Sequence, residues 1–157
     1  MSVLEPVALQ FVPLHESQLD RILAIEVEAY PEPWTRGMFY DELRNNRSRF
    51  IVAFEGEELV GYAGFWLVLD EAHITTVVVR DSYRGRGVGR QLFQTLLDLA
   101  REAGARMATL EVRVTNEPAR RLYTSFGFRP VGVRRGYYPK TKEDAIVMLK
   151  EFWDGRR

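Results

Sequence analysis

The sequence predicts a mixed α+β fold in which helices flank a mostly antiparallel sheet. Helical and strand-like apolar periods alternate along the chain, which is typical of this class. A short Glu-Gly-Glu-Glu link at residues 55–58 joins two apolar runs and indicates an antiparallel hairpin. A strand, a glycine-rich loop, a helix and another strand follow one another in the middle of the chain. Because 157 residues suffice for one hydrophobic core and hardly for two, we expect a single domain over residues 1–157.

The elements of the first half are bounded by prolines and by one capping residue. Apolar residues at helical spacing predict a first helix, which Pro31 and Pro33 end. Thr35 is a suitable N-cap for a second helix, because its hydroxyl can accept a hydrogen bond from the first turn. The predicted elements are a strand at residues 7–12, helices at 16–30 and 36–45, and strands at 49–55, 58–69 and 72–79.

Glycines mark the helix ends in the second half. Gly104 and Gly127 follow the two helical segments, and glycine is favourable there because it adopts left-handed conformations readily. The predicted elements are a loop at residues 84–90, a helix from there through Glu102, a strand at 108–114, a helix at 118–126, and strands at 129–135 and 145–150.

Charge and composition exclude several classes of function. The 22 basic and 22 acidic residues cancel, whereas proteins that bind nucleic acid through its phosphates usually carry a basic excess. We therefore expect no direct nucleic-acid partner. The chain has no cysteine, which excludes disulfides, thiolate zinc sites and cysteine nucleophiles.

Two further expectations concern location and metals. No basic segment precedes an apolar one at the N-terminus, and no apolar run reaches the ~18 residues of a membrane span. We therefore expect a cytoplasmic protein with no membrane partner. His73 lies in a strand beside hydrophobic residues and is interpreted as structural, and His15 is far from it in sequence. No metal site is predicted.

The segment from Val77 to Arg90 combines a strand, a turn with three alternating glycines, and the start of a helix. Such glycines let the backbone N–H groups point inward, and the helix adds unpaired N–H groups and the positive end of its dipole. Together they predict a pyrophosphate site to which arginines add charge. The dinucleotide and Walker motifs both fail here. A flexible surface turn with solvated arginines is the alternative.

Glu111 lies in the strand at residues 108–114. Strand alternation places it on one face with Thr109 and Arg113, away from the apolar face of this strand. One interpretation is a solvated carboxylate paired with Arg113; the other is a general base. Tyr123, in the helix that follows, is on its own spacing more typical of a packed aromatic than of an acid.

Two motifs resemble the GNAT family of N-acetyltransferases. The Arg-Gly-Arg-Gly-Val-Gly run at residues 84–89 is similar to its glycine signature, and residues 116–128 resemble the segment that closes over its cofactor. The resemblance implies the GNAT fold with a splayed strand pair, acetyl-CoA as the co-substrate, and Tyr123 as the general acid. It implies cofactor contacts from the strand residues Val77, Val78 and Val79, from the loop residues Arg84, Gly85, Arg86, Gly87, Val88, Gly89 and Arg90, and from Asn116.

Three further segments, at residues 69–74, 109–116 and 134–145, resemble the RimI subfamily. This resemblance implies acetylation of the N-terminal amine, an alanine, of a small-subunit ribosomal protein, with Glu111 as general base. An N-terminal peptide is thus the expected partner. Trp34, Tyr137 and Tyr138 are the candidate substrate contacts, and Glu32, Asp70 and Glu71 are candidates for an acidic opening.

The implied chemistry is consistent with the residues present. Acyl transfer needs a neutral amine, a stabilised oxyanion and a proton for the departing thiolate. An α-amine with a pKa of ~7.7–8 is partly neutral at pH 7, whereas a lysine with a pKa of ~10.4 would cost roughly 3.5 kcal/mol more to deprotonate than the α-amine. Backbone N–H groups near Val77–Val79 are our candidate oxyanion donors. Two alternatives remain open: a GNAT enzyme acting on small amines or lysine side chains, and a non-catalytic acetyl-CoA-binding module.

Overall fold

The computed structural model describes residues 6–152 and is built around a seven-stranded sheet. The expectation about the N-terminus falls in part on residues 1–5, outside this range. The strands are β1 (Gln10–Pro13), β2 (Ser48–Glu55), β3 (Glu58–Val68), β4 (Glu71–Val79), β5 (Met107–Arg113), β6 (Arg129–Arg134) and β7 (Ala145–Glu151); the α-helices are α1 (Leu19–Ala29), α2 (Arg36–Arg44), α3 (Val88–Glu102) and α4 (Glu117–Ser125).

The strand order is β1-β2-β3-β4-β5-β7-β6. Every neighbouring pair is antiparallel except β4 and β5, which are parallel because α3 carries the chain across the sheet between them. The predicted mixed fold with a mostly antiparallel sheet is therefore confirmed. The β2–β3 hairpin is also confirmed, with Glu55 opposite Glu58 at its end.

Two predicted boundaries at the start of the chain are wrong. The first strand begins at Gln10 and not at residue 7, because Val7 packs into the core instead of pairing with a neighbour. The first helix begins at Leu19, and residues 16–18 before it form a 3-10 turn. Thr35 is confirmed as an N-cap, since its hydroxyl oxygen accepts from the Met38 N–H at 3.3 Å.

The sheet buries an apolar cluster on each of its faces. One cluster packs α1 and α2 against β2, β3 and the end of β4, and we call this side the α1–α2 face. The other packs α3 and α4 against the opposite side of the same strands and against β5, which is the α3–α4 face. Burying an apolar stripe on both sides makes the middle strands almost wholly apolar, as residues 59–65 show.

A β-bulge in β4 changes which side chains face each cluster. Gly64 of β3 pairs with Thr76 and its neighbour Phe65 pairs with Ile74, so Thr75 is an extra residue. Ile74 and Val77 consequently both pack on the α3–α4 face, although they are three residues apart. A bulge also bends its strand and increases the local twist. The bend lies where β4 parts from β5.

The pairing between β4 and β5 is short. Within residues 6–152 it runs from Glu71 opposite Met107 to His73 opposite Thr109, and it ends there. Beyond this point the two strands diverge, so that the resemblance-based expectation of a splayed strand pair is met. The edges of both strands are then open to a ligand.

The carboxyl group of Glu26 connects α1, β3 and the loop between α1 and α2. Its side chain is buried, with 1% of the residue exposed, and it accepts hydrogen bonds from the Tyr62 hydroxyl and from the Trp34 N–H, the latter at 3.0 Å. Burial raises the pKa of Glu26, and the two hydrogen bonds oppose that shift. The position of the α1–α2 loop therefore depends on one buried acid.

No helix in the described part of the chain, residues 6–152, is long and apolar enough to cross a membrane. The cytoplasmic location stays a prediction.

Replacing Glu26 by Ala is expected to lower the free energy of unfolding by about 1–3 kcal/mol, because the Tyr62 hydroxyl and the Trp34 N–H lose their acceptor inside the protein. Urea unfolding at pH 7 measures the change. Glu28→Ala, the same substitution on the same helix at an exposed position, is the control and is expected to stay within about 0.5 kcal/mol of the parent. Equal effects of the two substitutions would contradict the role of Glu26.

Candidate active site

A cavity of about 890 Å³ opens where β4 and β5 diverge. Its lining comes from both faces of the sheet. Leu110, Val112 and Tyr123 belong to the α3–α4 face, whereas Glu111 and Arg113 alternate with them on β5 and face α1 and α2. The cavity therefore passes through the gap in the sheet and can be approached from two sides.

Glu111 lies in this cavity with 12% of its side chain exposed. One carboxylate oxygen, Oε2, is 2.7 Å from His73 Nε2, and the other, Oε1, is 3.5 Å from Arg134 Nε. The alternative interpretation of a solvated carboxylate paired with Arg113 is wrong. Arg113 contacts Glu32 and Glu143 instead.

His73, which the sequence analysis interpreted as structural, lies against Glu111 in the folded chain. Its backbone pairs with Thr109, and its ring therefore lies on the same face as Glu111, two residues further along β5. No local pattern in the sequence gives the register between two parallel strands joined by a long helical connection. For this reason the partner of Glu111 could not be identified from spacing.

Each member of this pair shifts the pKa of the other. The hydrogen bond with Glu111 is the largest contribution to the raised pKa of His73, and it outweighs partial burial, which favours the neutral ring. The same contact lowers the pKa of Glu111, with a smaller contribution from the Arg134 charge. A proton that reaches the pair is consequently held better on the imidazole than on the carboxyl group.

Tyr123 is both a packed aromatic and part of the cavity wall. Its ring centroid lies 4.9 Å from that of Phe93 and 6.3 Å from that of Phe128. The residue is 8% exposed and also lines the cavity. Burial raises the pKa of its hydroxyl above the usual value, and the neighbouring Tyr30 and Tyr138 add to the shift. The hydroxyl thus stays protonated at neutral pH and can donate a proton.

The glycine-rich loop has the backbone conformation that its sequence predicts. Gly85 and Gly87 have φ values of 75° and 82°, in the left-handed region that glycine tolerates best. Gly87 is also the N-cap of α3 and offers no side chain to the first N–H groups of the helix. A side chain at Gly89 would contact Val79 Cγ2 at 3.5 Å, so the loop approaches the end of β4. Free N–H groups at a helix start suit an anion.

The three arginines of this loop are held by neighbouring side chains. Arg84 Nε lies 3.0 Å from Asp81 Oδ1, and Arg86 stacks over Tyr83 at 4.8 Å. Arg90 donates to Ser125 Oγ at 2.8 Å. The cofactor contacts expected of this loop stay predictions. They involve Arg84, Gly85, Arg86, Gly87, Val88, Gly89 and Arg90.

Val77 and Val79 present their backbone to the opening. Peptide groups along an antiparallel strand alternate between its two edges. The Arg80 N–H donates to the Val60 carbonyl on β3 at 2.8 Å, so the peptide groups of Val78 face β3 as well. Those of Val77 and Val79 face the gap, and the Tyr30 hydroxyl donates to the Val77 carbonyl at 3.4 Å.

Val78, which was also included among the cofactor contacts, is placed differently from its two neighbours. Its side chain is 3% exposed and packs in the cluster on the α1–α2 face. With its peptide groups turned toward β3, neither its backbone nor its side chain is presented to the gap. Val78 therefore stabilises the strand that the other two valines expose.

The remaining predicted residues lie around the same cavity. Asn116 lines it and caps α4, since its Oδ1 accepts from the Ala119 N–H at 3.3 Å. Trp34, Tyr137 and Tyr138 line it as well, and Trp34 also packs on Phe39 with ring centroids 5.1 Å apart.

Of the three acidic candidates for the opening, Glu32 is in the cavity wall, whereas Asp70 and Glu71 are not. These two residues lie at the turn of the β3–β4 hairpin, away from the point further along β4 where the gap forms. This side of the wall also contains residues that the sequence analysis missed. They are Tyr30, Met38, Asp41, Glu42 and Trp66. No spacing rule links them, because they come from helices and strands that meet only in the folded chain.

In the described residues, 6–152, no group of three or more histidine or acidic side chains is arranged to hold a metal ion.

Comparison with known proteins gives consistent results. Residues 19–128, more than half of the chain, match the family described as "Acetyltransferase (GNAT) family". A Bacillus subtilis (strain 168) protein, provisionally named a [ribosomal protein bS18]-alanine N-acetyltransferase, is 40% identical over 131 residues, which cover 83% of this chain and 87% of that protein.

Two further relatives cover more of the chain. The N-alpha-acetyltransferase RimI of Mycobacterium tuberculosis (strain ATCC 25618 / H37Rv) is 35% identical over 154 residues, 96% of each chain. The crystal structure of the ribosomal-protein-S18-alanine N-acetyltransferase from Escherichia coli superposes with a TM-score of 0.85 and 30% identity, covering 96% of this chain and 99% of that one.

The Glu111–His73 contact can be tested without any substrate. Glu111→Gln is expected to lower the pKa of His73, because the carboxylate that raises it is removed while partial burial of the ring remains. Titration of the imidazole resonances by NMR measures the shift, and with two histidines in the chain the assignment is simple. Glu117→Gln, at an exposed position on α4, is the control. An unchanged His73 titration would mean that the contact does not form in solution.

Proposed function

The chain belongs to the acetyltransferase (GNAT) family, and from this premise we propose that it transfers the acetyl group of acetyl-CoA to the N-terminal amine of a protein. Relatives at 40% and 30% identity are named for the N-terminal alanine of a small-subunit ribosomal protein, bS18 or S18. We propose the same class of acceptor for this chain. The proposal takes residues 1–157 as one domain, consistent with the single sheet.

The observation that carries this proposal is the cavity that passes through the sheet. A transferase for two large substrates must bring them together while each is held by its own part of the protein. The gap between β4 and β5 joins a wall from the α3–α4 face to a wall from the α1–α2 face. The acetyl donor is assigned to the first side and the peptide to the second.

The donor side suits acetyl-CoA. The pantetheine arm contains amide groups, and the open peptide groups of Val77 and Val79 can pair with them as a neighbouring strand would. The loop from Gly85 to Arg90 and the start of α3 offer N–H groups to the pyrophosphate. Asn116 and Tyr123, at α4, line the same cavity, and we assign them to the thioester end of the donor.

On the acceptor side the Glu111–His73 pair removes the proton from the attacking amine, directly or through a water molecule. A carboxylate with a lowered pKa is a weak base by itself, but the raised pKa of His73 gives the pair a site where the proton is stable. The pair therefore acts as the general base while the imidazole is neutral. Below the raised pKa of His73 this capacity is lost.

Tyr123 supplies the second proton transfer. The amine nitrogen attacks the thioester carbonyl, the N–C bond forms, and the C–S bond breaks to release the thiolate. Tyr123, whose hydroxyl is protonated at neutral pH, then donates its proton to this sulfur. The proton from the amine resides on the Glu111–His73 pair, which returns it through water, so that protons balance over the cycle.

The acceptor class follows from the strength of this base. An α-amine has a pKa of ~7.7–8 and is partly neutral at pH 7, so modest base assistance suffices. A lysine side chain at ~10.4 demands roughly 3.5 kcal/mol more. The arrangement therefore favours an N-terminal amine over a lysine. Small amines with low pKa values are the second candidate, because they need the same assistance.

The first test is transfer from acetyl-CoA to a synthetic peptide with a free N-terminal alanine, followed by intact mass. We expect one added acetyl group on this peptide and none on its twin with a blocked N-terminus. A peptide with a blocked N-terminus and an internal lysine, and a panel of small amines, are the matched controls. Turnover on small amines alone would overturn the peptide acceptor, and binding of acetyl-CoA without any turnover would support the non-catalytic alternative.

Glu111→Gln and Tyr123→Phe are each expected to lower kcat by about 10²–10⁴-fold, because each removes one positioned proton transfer. Affinity for acetyl-CoA, measured by calorimetry, should change little. In the unmodified protein kcat should fall as the pH drops through the raised pKa of His73. Glu117→Gln is the control for Glu111→Gln. A full rate in either variant would remove that residue from the mechanism.

A further inference from the structure

Three segments that are distant in sequence meet around the side chain of Arg113. They are the α1–α2 loop (residues 30–35), the end of β5, and the β6–β7 loop (residues 135–144). The Arg113 side chain is 13% exposed, and its Nη1 lies 3.1 Å from Glu143 Oε1 and 2.9 Å from Thr141 Oγ1. Its Nη2 lies 3.7 Å from Glu32 Oε2.

The ring of Tyr138 closes the remaining side of this guanidinium. The Arg113 Cζ atom lies 3.7 Å from the centre of that ring, a stacking distance. One planar cation thus contacts a carboxylate of the α1–α2 loop, a carboxylate and a hydroxyl of the β6–β7 loop, and an aromatic ring of the same loop. Arginine is suited to this, because its donors form a rigid fork while its faces stay free to stack.

The two loops also contact each other directly. The Lys140 N–H donates to Glu32 Oε1 at 2.9 Å, and Lys140 Nζ donates to the Pro31 carbonyl at 3.1 Å. Glu32 therefore uses one oxygen for Arg113 and the other for the backbone of the β6–β7 loop. These contacts span 108 and 109 residues of sequence and close the rim of the cavity between the two loops.

Charge explains why the contact depends on Arg113. Glu32 and Glu143 have side-chain exposures of 24% and 26%, so neither carboxylate is fully solvated. Without the guanidinium, two partly buried negative charges would face each other across the junction of the loops. Breaking such a pair by removing one partner is unfavourable, because the charge left behind is uncompensated. The loops would then separate to hydrate the carboxylates.

We propose that Arg113 is a positioning residue that latches the α1–α2 loop to the β6–β7 loop and thereby fixes the width of the acceptor side of the cavity. Trp34 and Tyr138, which line that side, are carried by the two latched loops. The latch acts on the peptide and not on acetyl-CoA, whose assigned loop at residues 84–90 lies outside it. The inference rests on the proposed function for its kinetic part.

The test compares Arg113→Gln and Arg113→Lys with the parent, using the same free-amine peptide. We expect Arg113→Gln to raise the KM for the peptide about tenfold while the KM for acetyl-CoA stays within about twofold. Arg113→Lys should be intermediate, because a lysine keeps the charge but cannot contact both carboxylates and stack on Tyr138. Arg121→Gln, which breaks an exposed ion pair with Glu117 on α4, is the matched control.

A second readout needs no turnover. Hydrogen exchange of the free protein is expected to be faster at residues 30–35 and 136–144 in Arg113→Gln than in the parent, with no change at residues 84–90. This measurement separates the latch from the proposed function. A parent protein that fails to acetylate the peptide would overturn the function, and the exchange rates would still decide whether the latch exists.

Three outcomes would overturn the latch: an unchanged peptide KM with unchanged exchange, equal rises in both KM values, or a faster exchange over the whole chain. If Arg113→Gln does not fold, Glu32→Gln applies the same test from the other loop, because it removes the carboxylate that both Arg113 and the Lys140 N–H contact. Unchanged peptide KM and loop exchange in that variant would overturn the proposal equally.

Discussion

The break in pairing between β4 and β5 is the constraint on which the rest of this structure depends. A parallel pair normally continues until one strand ends, since each lost ladder bond leaves backbone groups that must find another partner. Here the ladder stops after His73, next to the bulge at Thr75 that bends β4. The Tyr30 hydroxyl satisfies one exposed carbonyl, that of Val77. The other exposed groups form an edge that an amide-containing ligand can complete, and the gap beside them is the candidate active-site cavity.

The proposed catalytic groups gain their properties from their position at this break. Glu111 is the residue on β5 whose side chain lies just past the last paired residue, and His73 is the last paired residue of β4 that faces the same way. Their contact moves the two pKa values apart, so that the carboxylate stays ionised and the imidazole becomes the better proton acceptor. Tyr123 meets the opposite requirement, because burial among Phe93 and Phe128 keeps its hydroxyl protonated. One gap therefore holds the proposed base on one face of the sheet and the proposed acid on the other.

The sequence predicts those parts of the protein that depend on neighbouring residues. Thr35, Gly104 and the glycines of the loop act within their own turn, and all of them lie where their local chemistry places them. The β2–β3 hairpin is set by a two-residue turn for the same reason. The partner of Glu111 could not be found this way, because it depends on the register of two strands connected through α3. The predicted first strand begins too early. Val7 is apolar because it packs in the core, and it does not pair with a neighbouring strand.

The same distinction separates the two sides of the cavity. The proposed donor side offers chiefly main-chain groups, whose placement requires glycines and a helix start in one short segment, and such a requirement leaves a motif that can be recognised. The acceptor side is built from side chains of α1, α2, β5 and the β6–β7 loop, joined by contacts such as that of Glu32 with Lys140. Substitutions there can be spread over many positions without altering any short pattern. We therefore propose that discrimination between acceptors depends on how these loops are held together, since the proposed base, the Glu111–His73 pair, is the same for every amine.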